Sequence, residues 1–251
     1  MSSGASSGRQ REASGYWKSG YRHDSRGAAN TPDSYLPTYV DLLESLSYTH
    51  ELVERSRSAE PESVLEVGCN SGRNLWVLSD RLGAERVAGV DISEEAIGIC
   101  RERAPAERWD LRVRDVMADG MPTFDEPFDV VCSLASLVHM EPGARKGEIV
   151  REMWALTRKR LILIEAQRPR GPVEVPRNIS DSPFWLDDYR AYLPELRDEG
   201  VARGSAHDSL DGLPVGRASR VVRPLRHALS VVNDRRGRRH PEVFHVLVAD
   251  R

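Results

Sequence analysis

Cysteine is scarce and scattered: Cys69, Cys100 and Cys132 are the only three, and none forms a CxxC pair. That argues against a zinc knuckle or a disulfide framework and fits a reducing compartment, so the cytoplasm is the expected location. No apolar run approaches the roughly 20 residues of a membrane span. The opening MSSGASSGRQREASG also lacks the apolar core of a secretory signal, so no membrane association is expected. Neither charge dominates: 36 basic residues against 39 acidic give a net charge of -3, without the global positive field that would gather nucleic acid.

What is present is a regular alternation. One α/β domain accounts for a length of 251 residues. Residues 1–14 read as a disordered tail. Residues 15–251 read as a single domain with an N-terminal helical cap (15–58), a core (60–168) and an acceptor-side region with the last strands (169–251). In SYLPTYVDLLESLSYTHELVERS, Tyr39, Leu42, Leu43 and Leu46 have helical spacing. Then ESVLEV reads as a strand, 72–82 as a helix, RVAGVD as a strand and 94–102 as a helix. DLRVRD and FDVVCSL follow as strands, 143–156 as a helix and RLILIEA as a strongly apolar strand. Such trading of strand and helix predicts a doubly wound α/β fold: a mostly parallel, Rossmann-like sheet with helices on both faces. PFWLDDYRAYLPELRDEG has helical spacing despite Pro194, and EVFHVLVAD is a final strand.

The turn in VLEVGCNSGRNL carries the chemistry. A dinucleotide turn needs G-x-G-x-x-G, but after Gly68 the second and third positions hold Asn70 and Arg73. A Walker loop fails as well, because no GK[ST] follows. The remaining pattern is acidic-x-Gly-x-x-x-Gly, from Glu66, Gly68 and Gly72, at the carboxyl end of a strand where open α/β sheets bind ligands. It suits a ligand without a pyrophosphate. Asparagine enters positive-φ geometry more easily than most residues, so Asn70 is compatible with a turn of this kind.

Further acidic residues follow at strand ends. RVAGVDIS places Asp91 about twenty residues beyond the turn, where a carboxylate reaches ribose hydroxyls. RVRDVM ends the next strand on Asp115. These residues resemble the class I S-adenosylmethionine-dependent methyltransferases, whose first motif reads acidic-x-Gly-x-Gly-x-Gly; Asn70 departs from it at the middle glycine. The resemblance covers 62–166. It implies a seven-stranded sheet with an antiparallel last strand, S-adenosyl-L-methionine as cofactor, and cofactor contacts from Glu66, Gly68, Cys69, Asn70, Gly72, Asp91, Ile92, Asp115 and Ser133. It further implies that Asp115 holds the adenine amino group while Val116 or Met117 packs on the ring. The aromatic stretch with Tyr16, Trp17 and Tyr21 resembles a segment that folds over the cofactor, with Arg22 and His23 toward the acceptor.

FDVVCSLASLVHM resembles the family's fourth strand and the loop beyond it, which makes His139 a candidate general base. Its other reading is a packed loop residue. Phe184, Trp185, Tyr189 and Tyr192 fall where the family builds its acceptor pocket; Trp185 and Tyr189 are the candidates for acceptor contact, and core packing is the other role open to them. No metal is expected, because the adjacent Asp and Asn of the metal-dependent branch are absent after RLILIEA. The expected function is metal-independent methyl transfer to oxygen or nitrogen of a small molecule, with specialised metabolism as a setting. The expected partner is that acceptor rather than nucleic acid, and the chain is either a monomer or a homodimer. One alternative is a peptide, protein or RNA acceptor docked on Arg217, Arg220, Arg223, Arg226 and the arginines of 235–239. A short-chain oxidoreductase would need Tyr-x-x-x-Lys, which is absent. A cofactor-binding protein without catalysis is the last alternative.

Overall fold

A computed structural model describes residues 8, 11, 14, 15, 18, 49–104, 109–167, 173–175, 184–202 and 244–251. Tyr16, Trp17, Tyr21, Arg22, His23, Tyr39, Leu42, Leu43, Leu46, Arg217, Arg220, Arg223, Arg226 and 235–239 lie outside the described residues. Gly8, Arg11, Ser14, Gly15 and Lys18 have helical backbone.

Helix α1 (Thr49–Arg57) precedes β1 (Ser63–Val67), α2 (Arg73–Leu82), β2 (Arg86–Asp91), α3 (Glu94–Arg103), β3 (Trp109–Val113) and the short α4 (Val116–Asp119). Then come β4 (Phe128–Leu134), a 3₁₀ turn (Leu137–His139), α5 (Ala144–Ala155) and β5 (Thr157–Ala166). A small hairpin of β6 (Val173–Val175) and β7 (Phe184–Leu186) follows, with a second 3₁₀ turn (Tyr189–Ala191), β8 (Arg197–Val201) and β9 (Phe244–Asp250). The seven-stranded sheet runs β3-β2-β1-β4-β5-β9-β8. Strands β1 to β5 are mutually parallel, and β9 is antiparallel to both β5 and β8. This is the doubly wound, mostly parallel sheet with an antiparallel last strand that the sequence predicts.

All five residues of β1 are buried because apolar layers cover both faces, as the near-continuous apolar reading of a central parallel strand requires. On one face Leu52 and Val53 of α1 and Leu75 and Leu78 of α2 pack with Val64, Val130 and Ile162. On the other, Ile149, Val150 and Met153 of α5 cover Leu65, Val131 and Leu163. The sheet order reverses direction between β1 and β4, which opens a crevice at their carboxyl ends.

The helix expected across 183–200 does not form. Tyr189, Leu193 and Leu196 keep helical spacing and all three are buried, but only a single 3₁₀ turn is made. Pro194 lacks an N–H and disfavours helical geometry at the residue before it, which stops the turn. The strand Arg197–Val201 is polar because it is the sheet edge, held by Arg197 to Asp250 at 2.6 Å and by Arg55 of α1 to Glu199 at 2.7 Å. The third strand ends at Val113, two residues before Asp115, which instead caps α4 by accepting from Ala118 N–H at 3.1 Å.

Candidate active site

The turn after β1 places three residues in left-handed backbone: Gly68 (φ 78°), Asn70 (φ 52°) and Gly72 (φ 84°). Glycine and asparagine are the residues that enter this region at least cost, so the pattern explains both what the turn keeps and what it replaces. The turn is stitched to the end of β2. Gly68 and Cys69 donate their N–H groups to Val90 O at 2.7 and 3.2 Å, and Asn70 N–H donates to Asp91 Oδ2 at 2.8 Å. The Asn70 side chain turns back on its own backbone, with Oδ1 accepting from Ser71 N–H at 2.6 Å. A Cβ on Gly72 would run into Cys100 Sγ of α3, so position 72 is closed to side chains by packing as well as by φ.

Three carboxylates stand at the ends of three neighbouring strands. Glu66 is fully buried; Oε1 accepts from Asn74 Nδ2 at 2.6 Å, and Asn74 Oδ1 accepts from Thr49 Oγ1 at 2.7 Å. Burial pushes the Glu66 carboxyl up to about 7 against the Asn74 hydrogen bond, and Oε2 has no hydrogen-bond partner. Asp91 is half-buried and also accepts from Ser93 N–H at 2.9 Å; desolvation raises its carboxyl above the usual range. Asp115 pairs through Oδ2 with Lys18 Nζ at 2.9 Å, which brings Lys18 beside the end of β3. Val116 is buried in the core, Met117 is partly buried beside it, and Ile92 is half-buried next to Asp91.

Beyond β4, Ala135 also has left-handed backbone (φ 53°), a conformation that costs a residue with a Cβ on the order of 1 kcal/mol. It turns the chain so that the Ser136 side chain fills the space beside Gly68 where a Cβ would otherwise sit. Glu165 of β5 holds this loop from below. Its Oε1 accepts from Ser136 N–H and Leu137 N–H, both at 3.1 Å, and its Oε2 accepts from Val138 N–H at 3.2 Å. Burial nevertheless keeps the Glu165 carboxyl above its ordinary range. His139 ends the 3₁₀ turn that Glu165 anchors.

Two sequence expectations are corrected here. Ser133, expected to touch cofactor, is fully buried and donates its hydroxyl to Glu165 Oε1 at 2.6 Å, so it braces the anchor. Tyr189, expected at the acceptor, is fully buried in the core under Lys146, whose Nζ lies 4.7 Å from the ring centroid. That lysine is itself buried, 3.1 Å from Asp187 Oδ2 but without hydrogen-bond alignment, and desolvation lowers its pKa. Trp185 is 5% exposed and also packs. Sequence reasoning missed Lys18, Asn74, Ser136 and the anchoring role of Glu165. Only Glu165 left a signal, as an acid at the end of an otherwise apolar strand. Among the described residues no group of three or more His, Cys, Asp or Glu could hold a metal ion, and no helix is long and apolar enough to cross a membrane.

Residues 64–160 match the family model described as a methyltransferase domain. Over this part of the chain the likeness is to S-adenosylmethionine-dependent methyltransferases. The methyltransferase GfsG of Streptomyces halstedii is 31% identical over 47% of this chain and 42% of its own length. Phosphoethanolamine N-methyltransferase 1 of Arabidopsis thaliana is 27% identical over 66% of this chain and 34% of its own length. The chain therefore spans less than half of the length of either relative. Among solved structures, magnesium protoporphyrin IX methyltransferase from Synechocystis, with bound S-adenosylmethionine, superposes with a TM-score of 0.54 at 15% identity, covering 99% of this chain and 100% of that one. At that identity the likeness concerns the fold.

Proposed function

We propose that this chain binds S-adenosylmethionine at the carboxyl ends of β1 to β4 and transfers its methyl group to oxygen or nitrogen of a small-molecule acceptor without a metal. The observation that carries the reading is the set Glu66, Asp91 and Asp115 at three successive strand ends, around a left-handed turn that has no pyrophosphate cradle. The residues fit this cofactor. Gly68 and Gly72 give the turn its left-handed backbone, and the buried orphan Oε2 of Glu66 lies two residues before it. Asp91 would accept from two ribose hydroxyls and Asp115 from the adenine amino group, with Met117 against the ring. The bound cofactor supplies an electrophilic methyl group, so the protein's task is to align the acceptor and, for a hydroxyl or ammonium acceptor, to remove a proton. His139, on the turn that Glu165 holds, is the proposed base. The relative named for phosphoethanolamine supports a small acceptor.

Calorimetry tests this directly. S-adenosylmethionine and its demethylated product should bind and NAD should not, and Asp91→Ala should weaken binding by on the order of 1 to 3 kcal/mol. Binding of NAD at comparable affinity, or an unchanged affinity in Asp91→Ala, refutes the reading.

A further inference from the structure

Gln167, one residue past the end of β5, is 7% exposed. Its Nε2 donates to Asp198 Oδ2 at 2.9 Å, which sets the orientation of the amide, since the reverse would press a carbonyl oxygen against a carboxylate. The other end of the amide is left over: Gln167 Oε1 is buried and has no hydrogen-bond partner. A buried acceptor without a donor is costly and rare in native folds, so Oε1 takes its donor from water or from a ligand in the cleft.

Gln167 lines an open cleft of about 400 Å³ together with Asp188, Arg190, Ala191, Pro194 and Asp198. One wall is rigidly built. Asp198 accepts from Gly200 N–H at 2.9 Å, and its two oxygens lie 2.9 and 2.8 Å from Nδ1 of His245. Asp188 and Arg190 add a carboxylate acceptor and a guanidinium donor, while Ala191 and Pro194 are the apolar members. A flat aromatic ring would find little to stack on here, whereas a ring carrying several hydroxyls would meet acceptors and donors on several sides.

We propose that this cleft is the acceptor subsite and that it takes a polyhydroxylated, sugar-like group, with one hydroxyl donating to Gln167 Oε1, another to the Asp188 carboxylate, and Arg190 donating to a ring oxygen. The inference rests on the methyltransferase reading and narrows its acceptor class. The location suits it. Strand β5 neighbours β4, and Gln167 follows β5 three residues beyond Ile164, the last residue paired with β4, at the carboxyl ends where the cofactor crevice opens.

The test uses the full chain with S-adenosylhomocysteine, whose affinity is measured first, and then titrates methyl glucoside and catechol by calorimetry or ligand-observed NMR. Methyl glucoside should bind, and catechol should bind more weakly or not at all. Gln167→Ala should weaken methyl glucoside at least fivefold, and Asp188→Asn, at a part-exposed position outside the core, at least threefold, with the affinity for S-adenosylhomocysteine unchanged in both. The proposal is overturned if wild type does not bind methyl glucoside, if catechol binds better, or if Asp188→Asn and Gln167→Ala both bind the glucoside as wild type does. Glucoside binding that persists without any binding of S-adenosylhomocysteine would instead overturn the methyltransferase reading, and with it the acceptor role of the cleft, leaving only a sugar-binding cleft.

Discussion

The amide of Asn70 donates to the carboxylate of Asp91 at 2.8 Å, so the turn after β1 is fastened to the very side chain proposed to hold the ribose. The bond comes from the backbone of residue 70 and depends on its left-handed geometry rather than on the asparagine side chain. Glycine adopts that geometry freely at a modest entropic cost. Asn70→Gly should therefore keep affinity for S-adenosylmethionine within a few fold by calorimetry. A large loss would mean that the side chain, whose Oδ1 accepts from Ser71 N–H, shapes the ligand site itself.

Asp115 offers a second comparison. Its partner Lys18 is 53% exposed, and exposed ion pairs contribute about 0 to 1 kcal/mol, so Lys18→Ala should change cofactor affinity by less than about fivefold. Asp115→Ala removes the proposed acceptor for the adenine amino group and should cost more, roughly 1 to 3 kcal/mol. Equal effects of the two substitutions would assign Asp115 to holding Lys18 rather than adenine.

Glu66 ties stability to pH. Its carboxyl is raised from 4.5 to about 7 by burial, so the folded state holds the proton more tightly than the unfolded chain does. The stabilisation is complete below about pH 4.5 and is lost as pH climbs through about 7, with a total on the order of 3 kcal/mol. Glu66→Gln keeps an acceptor for Asn74 and cannot ionise. Its stability relative to wild type, by chemical denaturation, should therefore rise by about 2 to 3 kcal/mol between about pH 5 and about pH 8. Parallel pH trends in the two proteins would show that the Glu66 carboxyl does not titrate in this way.

What could be read from sequence follows burial. RVAGVD and FDVVCSL match their strands to the residue because both are apolar runs bounded by turn residues. RDEGV left no such trace, since an edge strand held by Arg197–Asp250 and Arg55–Glu199 has no apolar alternation to betray it. In the site, the left-handed turn of Gly68, Asn70 and Gly72 and the position of Asp91 at the end of β2 were legible because both follow from local sequence. The Glu165 anchor was not, because it joins a strand to backbone amides 27 to 29 positions earlier, a closeness that exists only once β4 and β5 pair. Ser133 and Tyr189 were misassigned for the same reason: their partners Glu165 and Lys146 are distant in sequence.

The same anchor frames the prediction for His139. Three backbone amides of residues 136–138 converge on Glu165, so the turn that ends at His139 has an anchor besides the imidazole. Removing the ring should then leave the turn, the core and the cofactor crevice in place. If His139 is the base, His139→Ala lowers kcat by about a hundredfold or more with cofactor affinity nearly intact, as expected for a group that acts in the transition state. Glu165→Gln, by contrast, replaces one acceptor oxygen with an amide that faces donor N–H groups and should lower thermal stability and activity together. The two variants separate chemistry from support. A loss of stability in His139→Ala as large as that in Glu165→Gln, with activity falling in proportion, would make His139 a packed loop residue and leave alignment of the acceptor as the protein's main contribution to catalysis.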